Sequence, residues 1–98
     1  MVLEVGDNPA RERYELRLGE RVVGSLDYRT EPGALLLVHA EIEPASRGHG
    51  LGSRLVAGAL DDVRARGLTV VPRCSFVASF VARNPEYADL VARHAGGH

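Results

Sequence analysis

The stretch Arg47-Gly48-His49-Gly50-Leu51-Gly52 lies between an apolar run, Leu35-Leu36-Leu37-Val38, and an amphipathic one that begins at Leu51. Three glycines at alternate positions let a backbone turn tightly and approach a ligand closely. A helix that starts here aims unpaired N–H groups, and the positive end of its dipole, at whatever sits in front of it. Arg47 adds a full charge and a fork of donors. Taken together, these residue types describe an anion site suited to phosphate or pyrophosphate. The competing reading is a glycine-rich connection with no ligand. A dinucleotide fingerprint fits poorly, because its third glycine falls on Ser53 and no acidic residue follows about 20 positions on. The chain has no lysine, so a Walker-type phosphate loop is excluded.

Upstream of the loop the sequence reads as β-structure. Tyr14, Leu16 and Leu18 alternate with Glu15 and Arg17, the period of a half-buried strand. Gly19-Glu20 makes a tight turn into a second strand. There Val22, Gly24, Leu26 and Tyr28 form one face, and Val23, Ser25 and Asp27 the other. Val2–Val5 makes a short strand before them. Thr30-Glu31-Pro32-Gly33 is a turn. Ala34–Glu43 is then a strand whose unbroken apolar run predicts a central position covered on both faces.

Downstream, Leu51, Leu55, Val56, Ala59, Leu60 and Val63 mark the apolar stripe of a helix. Asp62 and Arg66 form an i,i+4 ion pair on it, and Gly67 caps its end. Leu68–Val71 is a short buried strand. Ser75–Arg83 is a helix with Phe76, Val77, Phe80 and Val81 on one side. Asn84 and Pro85 start a last helix over Glu86–His94, with Tyr87, Leu90 and Val91 inward, and Ala95–His98 forms a frayed tail. The order of elements predicts one mixed α/β domain over residues 1–98.

The bulk properties narrow the function. A chain of 98 residues leaves room for one domain. The net charge of −1, with charges mixed along the chain, lacks the basic stripe of a nucleic-acid binder. One cysteine, Cys74, permits neither an internal disulfide nor a cysteine-rich zinc site. No other metal-ligand spacing is present, His94 and His98 included. No apolar run is long enough to span a bilayer, and the start lacks the pattern of a signal peptide, so the expected location is the cytoplasm.

The loop also resembles a known signature. Arg47-Gly48-His49-Gly50-Leu51-Gly52 matches Arg or Gln, two residues, Gly, one residue, Gly or Ala, the pattern of the GNAT acetyltransferase superfamily. The wider stretches Val38-His39-Ala40-Glu41-Ile42 and Val71-Pro72-Arg73-Cys74-Ser75-Phe76-Val77 resemble its minimal single-domain YjdJ-like branch. The resemblance implies a truncated GNAT fold with a mainly antiparallel central sheet flanked by helices. It also implies acetyl-CoA as cosubstrate, held at Ile42, Arg47, Gly48, His49, Gly50, Leu51, Gly52, Ser53 and Cys74. The chain is too short for the usual pair of substrate-binding helices and for the usual closing β-hairpin. The acceptor amine, protein-borne or a small molecule, is therefore not specified by the resemblance.

Three side chains are candidates for the chemistry. An amine attacking a thioester must lose a proton, and imidazole is the side-chain type that titrates near neutrality. His39 lies on the strand expected beside the cofactor arm, and Glu41 shares its face at i+2. Either Glu41 orients His39 or it is itself the base. Cys74 precedes a helix, a setting that favours thiolate, and the resemblance puts it near the reactive end of CoA. The bland alternatives are a strand histidine satisfied by the backbone, a solvated glutamate and a small buried thiol. With these residues, the resemblance implies an acetyl-CoA-dependent N-acetyltransferase that transfers the acetyl group directly to an amine. The alternatives are a non-catalytic CoA-binding module and a small interaction protein.

Overall fold

The computed structural model describes residues 2–92. Five strands form one sheet in the order β1-β2-β3-β4-β5: Leu3–Asn8, Arg13–Leu18, Arg21–Glu31, Ala34–Ile42 and Thr69–Pro72. The first four pair antiparallel as a meander, and β5 pairs parallel with β4. The parallel pair is joined by helix α1, Leu51–Ala65, and a second helix, α2, spans Ser75–Arg83. This is the mixed α/β domain that the order of elements predicts, with the mainly antiparallel sheet that the family resemblance implies.

The turns follow from the glycines. Gly19 and Gly33 both take positive φ, and each closes a two-residue hairpin. Gly67, also at positive φ, ends α1, where Leu68 N–H reaches back to the Val63 carbonyl at 3.1 Å.

Both helices lie on one face of the sheet. Leu55, Val56, Ala59, Leu60 and Val63 of α1, with Val77 and Phe80 of α2, share a core with Tyr14, Leu16, Leu26, Leu35 and Leu37. The α1 helix approaches β1 so closely that a Cβ on Gly58 would lie 2.5 Å from a Val5 methyl. Its C-terminal end is anchored by a polar cluster. Tyr14 donates to Asp62 (2.6 Å) and Tyr28 to Asp7 (2.7 Å). Arg66 spans both carboxylates, at 2.6 Å from Asp7 and 3.0 Å from Asp62. Burial and the Asp62 hydrogen bond push the Tyr14 phenol well above its usual range, and burial and Asp7 push Tyr28 up to about 12. Both hydroxyls therefore stay protonated donors.

Five expectations need correction. A β-bulge in β3 breaks the alternation between β2 and β3: Leu16 pairs with Gly24, but Arg17 pairs with Val22. Val23 consequently turns into the core at 1% exposure, while Val22 faces out at 37%. The strand β4 is central, but the helices cover only one of its faces, and Leu36 and Val38 are half-buried. Phe76 is not a core residue, since it is 38% exposed. The last helix is a 3₁₀ segment over Pro85–Leu90, after which Val91 bridges to Val70. Asn84 precedes that segment, but its side chain donates back to the Phe80 carbonyl at 2.8 Å instead of capping forward. The predicted tail at 95–98 lies outside the described residues.

Candidate functional site

The glycine loop and the end of β4 meet in a groove of about 260 Å³. Ile42, Ser46, Arg47, Gly48, Gly50, Leu51, Gly52, Ser53 and Phe76 line it. The three glycines serve two different purposes. Gly48 and Gly50 have φ of 88° and 72°, a left-handed conformation costly for other residues. Gly52 leaves room for the Phe76 ring, which would have to move aside from a Cβ placed 2.8 Å away.

Donors crowd this groove. The first bond of α1 runs from Arg54 N–H to the Gly50 carbonyl at 3.2 Å. The N–H groups of Leu51, Gly52 and Ser53 precede that bond, and no side chain caps the helix. The loop itself is braced. Ser46 donates to Glu43 at 2.6 Å, and Arg21 pairs with the same carboxylate. The Ser46 hydrogen bond, with Arg21 beside it, holds the Glu43 carboxyl below the usual range. Arg47 turns one guanidinium N–H onto the Ile42 carbonyl at 3.1 Å, and His49 is exposed.

A second feature opens next to the loop. The β4–β5 ladder ends at Leu37 opposite Pro72. There Arg73 and Cys74 both donate their N–H groups to the Leu37 carbonyl, each at 2.9 Å, and the chain leaves the sheet as α2. A bulge at Val38 falls at the same point, because Asp27 pairs with His39 and Tyr28 with Leu37. Beyond it, the β5-side edge of β4 has no strand neighbour. The Ile42 carbonyl faces that edge, where Arg47 reaches it, and Glu43 N–H points the other way to Val23. By strand alternation the Ala40 and Ile42 N–H groups face the open edge.

A sequence model of the GCN5-related N-acetyl-transferase family matches residues 13–90. The chain belongs to that family. No curated protein matches the sequence. Among solved structures, a GCN5-like protein from Staphylococcus aureus superposes with a TM-score of 0.68 at 18% identity, covering 98% of this chain and 96% of that one. Ribosomal-protein-alanine N-acetyltransferase from Brucella melitensis biovar Abortus 2308 gives 0.51 at 19% identity, covering 94% of this chain and 71% of that one. Identities this low support the shared fold.

In this GCN5-related chain the candidate chemical groups fall into two places. His39 and Glu41 project from the face of β4 that no helix covers, with His39 Nε2 3.8 Å from Glu41 Oε1. Both are well exposed, at 62% and 64% of their side chains. Cys74 is half-buried at the start of α2, against the core. Uncapped N–H donors, a left-handed glycine cradle and an open strand edge lie beside one another, a set that suits an anionic group carrying an extended arm. Tyr14 and Tyr28 are committed to Asp62 and Asp7, and Tyr87 donates to Asp61 at 2.9 Å. Among the described residues no group of three His, Cys, Asp or Glu side chains is placed to hold a metal, and no helix is long and apolar enough to cross a membrane.

Sequence reasoning missed Phe76 as a groove residue. Its apolar type and helical spacing point to the core, and only the contact with Gly52 reveals its position. Asp27, directly across from His39, was also missed. Its strand was recognised, but the pairing that brings the two together is not local.

Proposed function

We propose that this chain is an acetyl-CoA-dependent N-acetyltransferase that moves the acetyl group directly from thioester to amine. One observation carries the reading: uncapped N–H groups of the glycine loop open onto the unpaired edge of β4. An anion anchored at the first then has an extended arm beside the second. When bound, acetyl-CoA supplies an acetyl group activated as a thioester.

The chain's own residues would act as follows. Arg47, Gly48, His49, Gly50, Leu51, Gly52 and Ser53 hold the pyrophosphate, and Ile42 lines the arm. Ala40 or Ile42 N–H donates to the acetyl carbonyl oxygen, as an oxyanion hole does. His39 accepts the proton that the acceptor nitrogen gives up as the C–N bond forms and the C–S bond breaks. Glu41 orients the imidazole. Cys74 lies beside the departing thiol and takes no acetyl group in a direct transfer. The reading includes one cytoplasmic acetyl-CoA-binding domain over the whole chain.

Calorimetric titration with acetyl-CoA tests the cofactor site, with Gly50→Trp as the variant that blocks the loop. Saturable binding lost in the variant supports the reading, and no binding by the intact protein refutes it. The uncovered acceptor face favours a second reading, a CoA-binding module without catalysis. That reading fails if His39→Ala keeps acetyl-CoA binding but loses acetyl transfer to an amine.

A further inference from the structure

Arg47 stands at the junction of the glycine loop and the open edge of β4. The 3₁₀ turn Pro44–Ser46 folds the chain back after the strand, and Arg47 N–H closes it on the Pro44 carbonyl at 3.3 Å. The side chain thereby returns to the strand it has just left, where its Nε donates to the Ile42 carbonyl at 3.1 Å. Among the described residues its guanidinium pairs with no carboxylate, and Glu43, the acid nearest in the chain, is taken by Arg21 and Ser46.

Ile42 is the last residue of β4, and its carbonyl lies on the edge that β5 has left. Glu43 N–H points the other way, to the Val23 carbonyl at 2.8 Å. A full positive charge thus sits on a neutral acceptor, at the end of the open edge that adjoins the loop. Such a bond uses one of the five guanidinium donors. A phosphate oxygen pair takes two of them and opposes the charge as well, so an anion in the loop offers Arg47 the stronger partner. An extended arm beside β4 needs the same carbonyl, because a chain added to a strand edge pairs through its amides with the exposed backbone groups.

We propose that Arg47 is a specificity-determining gate. Its guanidinium closes the edge of β4 against thioesters that carry no phosphate. An anion in the glycine loop draws it off the Ile42 carbonyl, which then accepts an amide N–H of the arm. The inference rests on the acetyl-CoA reading of the loop. It makes the pyrophosphate more than an anchor, since a pantetheine thioester, with the same arm and no phosphate, meets a closed edge.

The test uses backbone amide NMR, which reads weak binding, on wild type and Arg47→Met. The probes are acetyl-CoA, S-acetylpantetheine and inorganic phosphate at constant ionic strength. Phosphate alone is expected to shift the Glu43 amide nitrogen of wild type, which shares a peptide plane with the Ile42 carbonyl, and to shift it much less in Arg47→Met. S-acetylpantetheine should bind Arg47→Met about threefold more tightly than wild type, the scale of one modest hydrogen bond. Acetyl-CoA should bind the variant more weakly. Saturating phosphate should raise the wild-type affinity for S-acetylpantetheine to that of the variant. A residue that only holds phosphate, or only braces the turn, gives no such gain when it is removed. Equal or weaker binding of S-acetylpantetheine by Arg47→Met, its binding to neither protein, or a wild-type Glu43 signal that phosphate does not move overturns the inference, while acetyl-CoA binding by wild type still supports the cofactor reading. No acetyl-CoA binding by wild type refutes both.

Discussion

The two faces of the sheet are built from alternate residues of the same strands, yet different physics governs them. On the helix side, Leu16, Leu26 and Leu37 are fully excluded from water. On the other side stand Arg13, Arg17, Asp27, His39 and Glu41, each at least partly exposed. The first face is held by apolar burial, which depends on shape and area. The second is a lattice of charges, where pairing of arginines and histidine with carboxylates matters more than packing. Glu15 is the exception, a carboxylate of the uncovered face that is only 2% exposed. Stability should therefore depend far more on the covered face than on the uncovered one, and substitutions on each face test that difference.

The largest effect is expected in the core. Leu60→Ala should cost about 2–5 kcal/mol in urea unfolding. Val22→Ala on the uncovered face should stay within about 0.5 kcal/mol. Similar losses at the two positions would abolish the distinction between faces.

Glu15 tests it from the other side. Hydrogen bonds from Arg17, Arg13 and Asn8 outweigh the cost of burial and lower its carboxyl to about 2. An unfolded glutamate titrates near 4.3. The folded value is the lower one, so the stabilisation is present above about pH 4.3 and is lost as pH falls through about 2. The span corresponds to about 3 kcal/mol. Unfolding measured between pH 5 and pH 2 should show that loss in wild type and much less of it in Glu15→Gln.

Gly58→Ala is expected to have a smaller effect. Alanine in a helix usually gains about 1 kcal/mol over glycine. Here the added methyl meets Val5, and a net loss of about 1–3 kcal/mol is expected from thermal unfolding. A gain would mean that β1 can yield. Gly52→Ala should change stability least, by under about 1 kcal/mol, because Phe76 can swing into solvent. Its effect should show in calorimetry as acetyl-CoA affinity weakened about fivefold, a loss of about 1 kcal/mol.

Much of this was legible in the sequence. The Gly19 and Gly33 turns, the α1 stripe, the Asp62–Arg66 pair and the Gly67 cap are local, and each has a residue-level cause. The loop was legible for the same reason. The misread features depend on neighbours distant in sequence. Val22 and Val23 are chemically alike, so only the pairing with β2 decides which one the bulge turns inward. Pro85 signals a helix start, but the 3₁₀ segment ends where Val91 pairs with Val70, a contact across 21 positions. Asp27 and Phe76 look like an ordinary strand residue and an ordinary core residue until β4 and α1 are set beside them. Burial of Glu15 likewise needs Asn8 and two arginines assembled around it.

The tyrosine–aspartate cluster at the far end of α1 has one more consequence. The helix runs 15 residues from the glycine loop to that cluster, a length of about 22 Å. Hydroxyl and guanidinium bonds pin this end, and Leu51, Leu55 and Val56 seat the other on the core, so the helix is a beam held at both ends. Releasing one support loads the other. Tyr14→Phe, which removes only the hydroxyl on Asp62, is therefore expected to weaken acetyl-CoA binding from a distance, by a small factor that calorimetry of that variant measures.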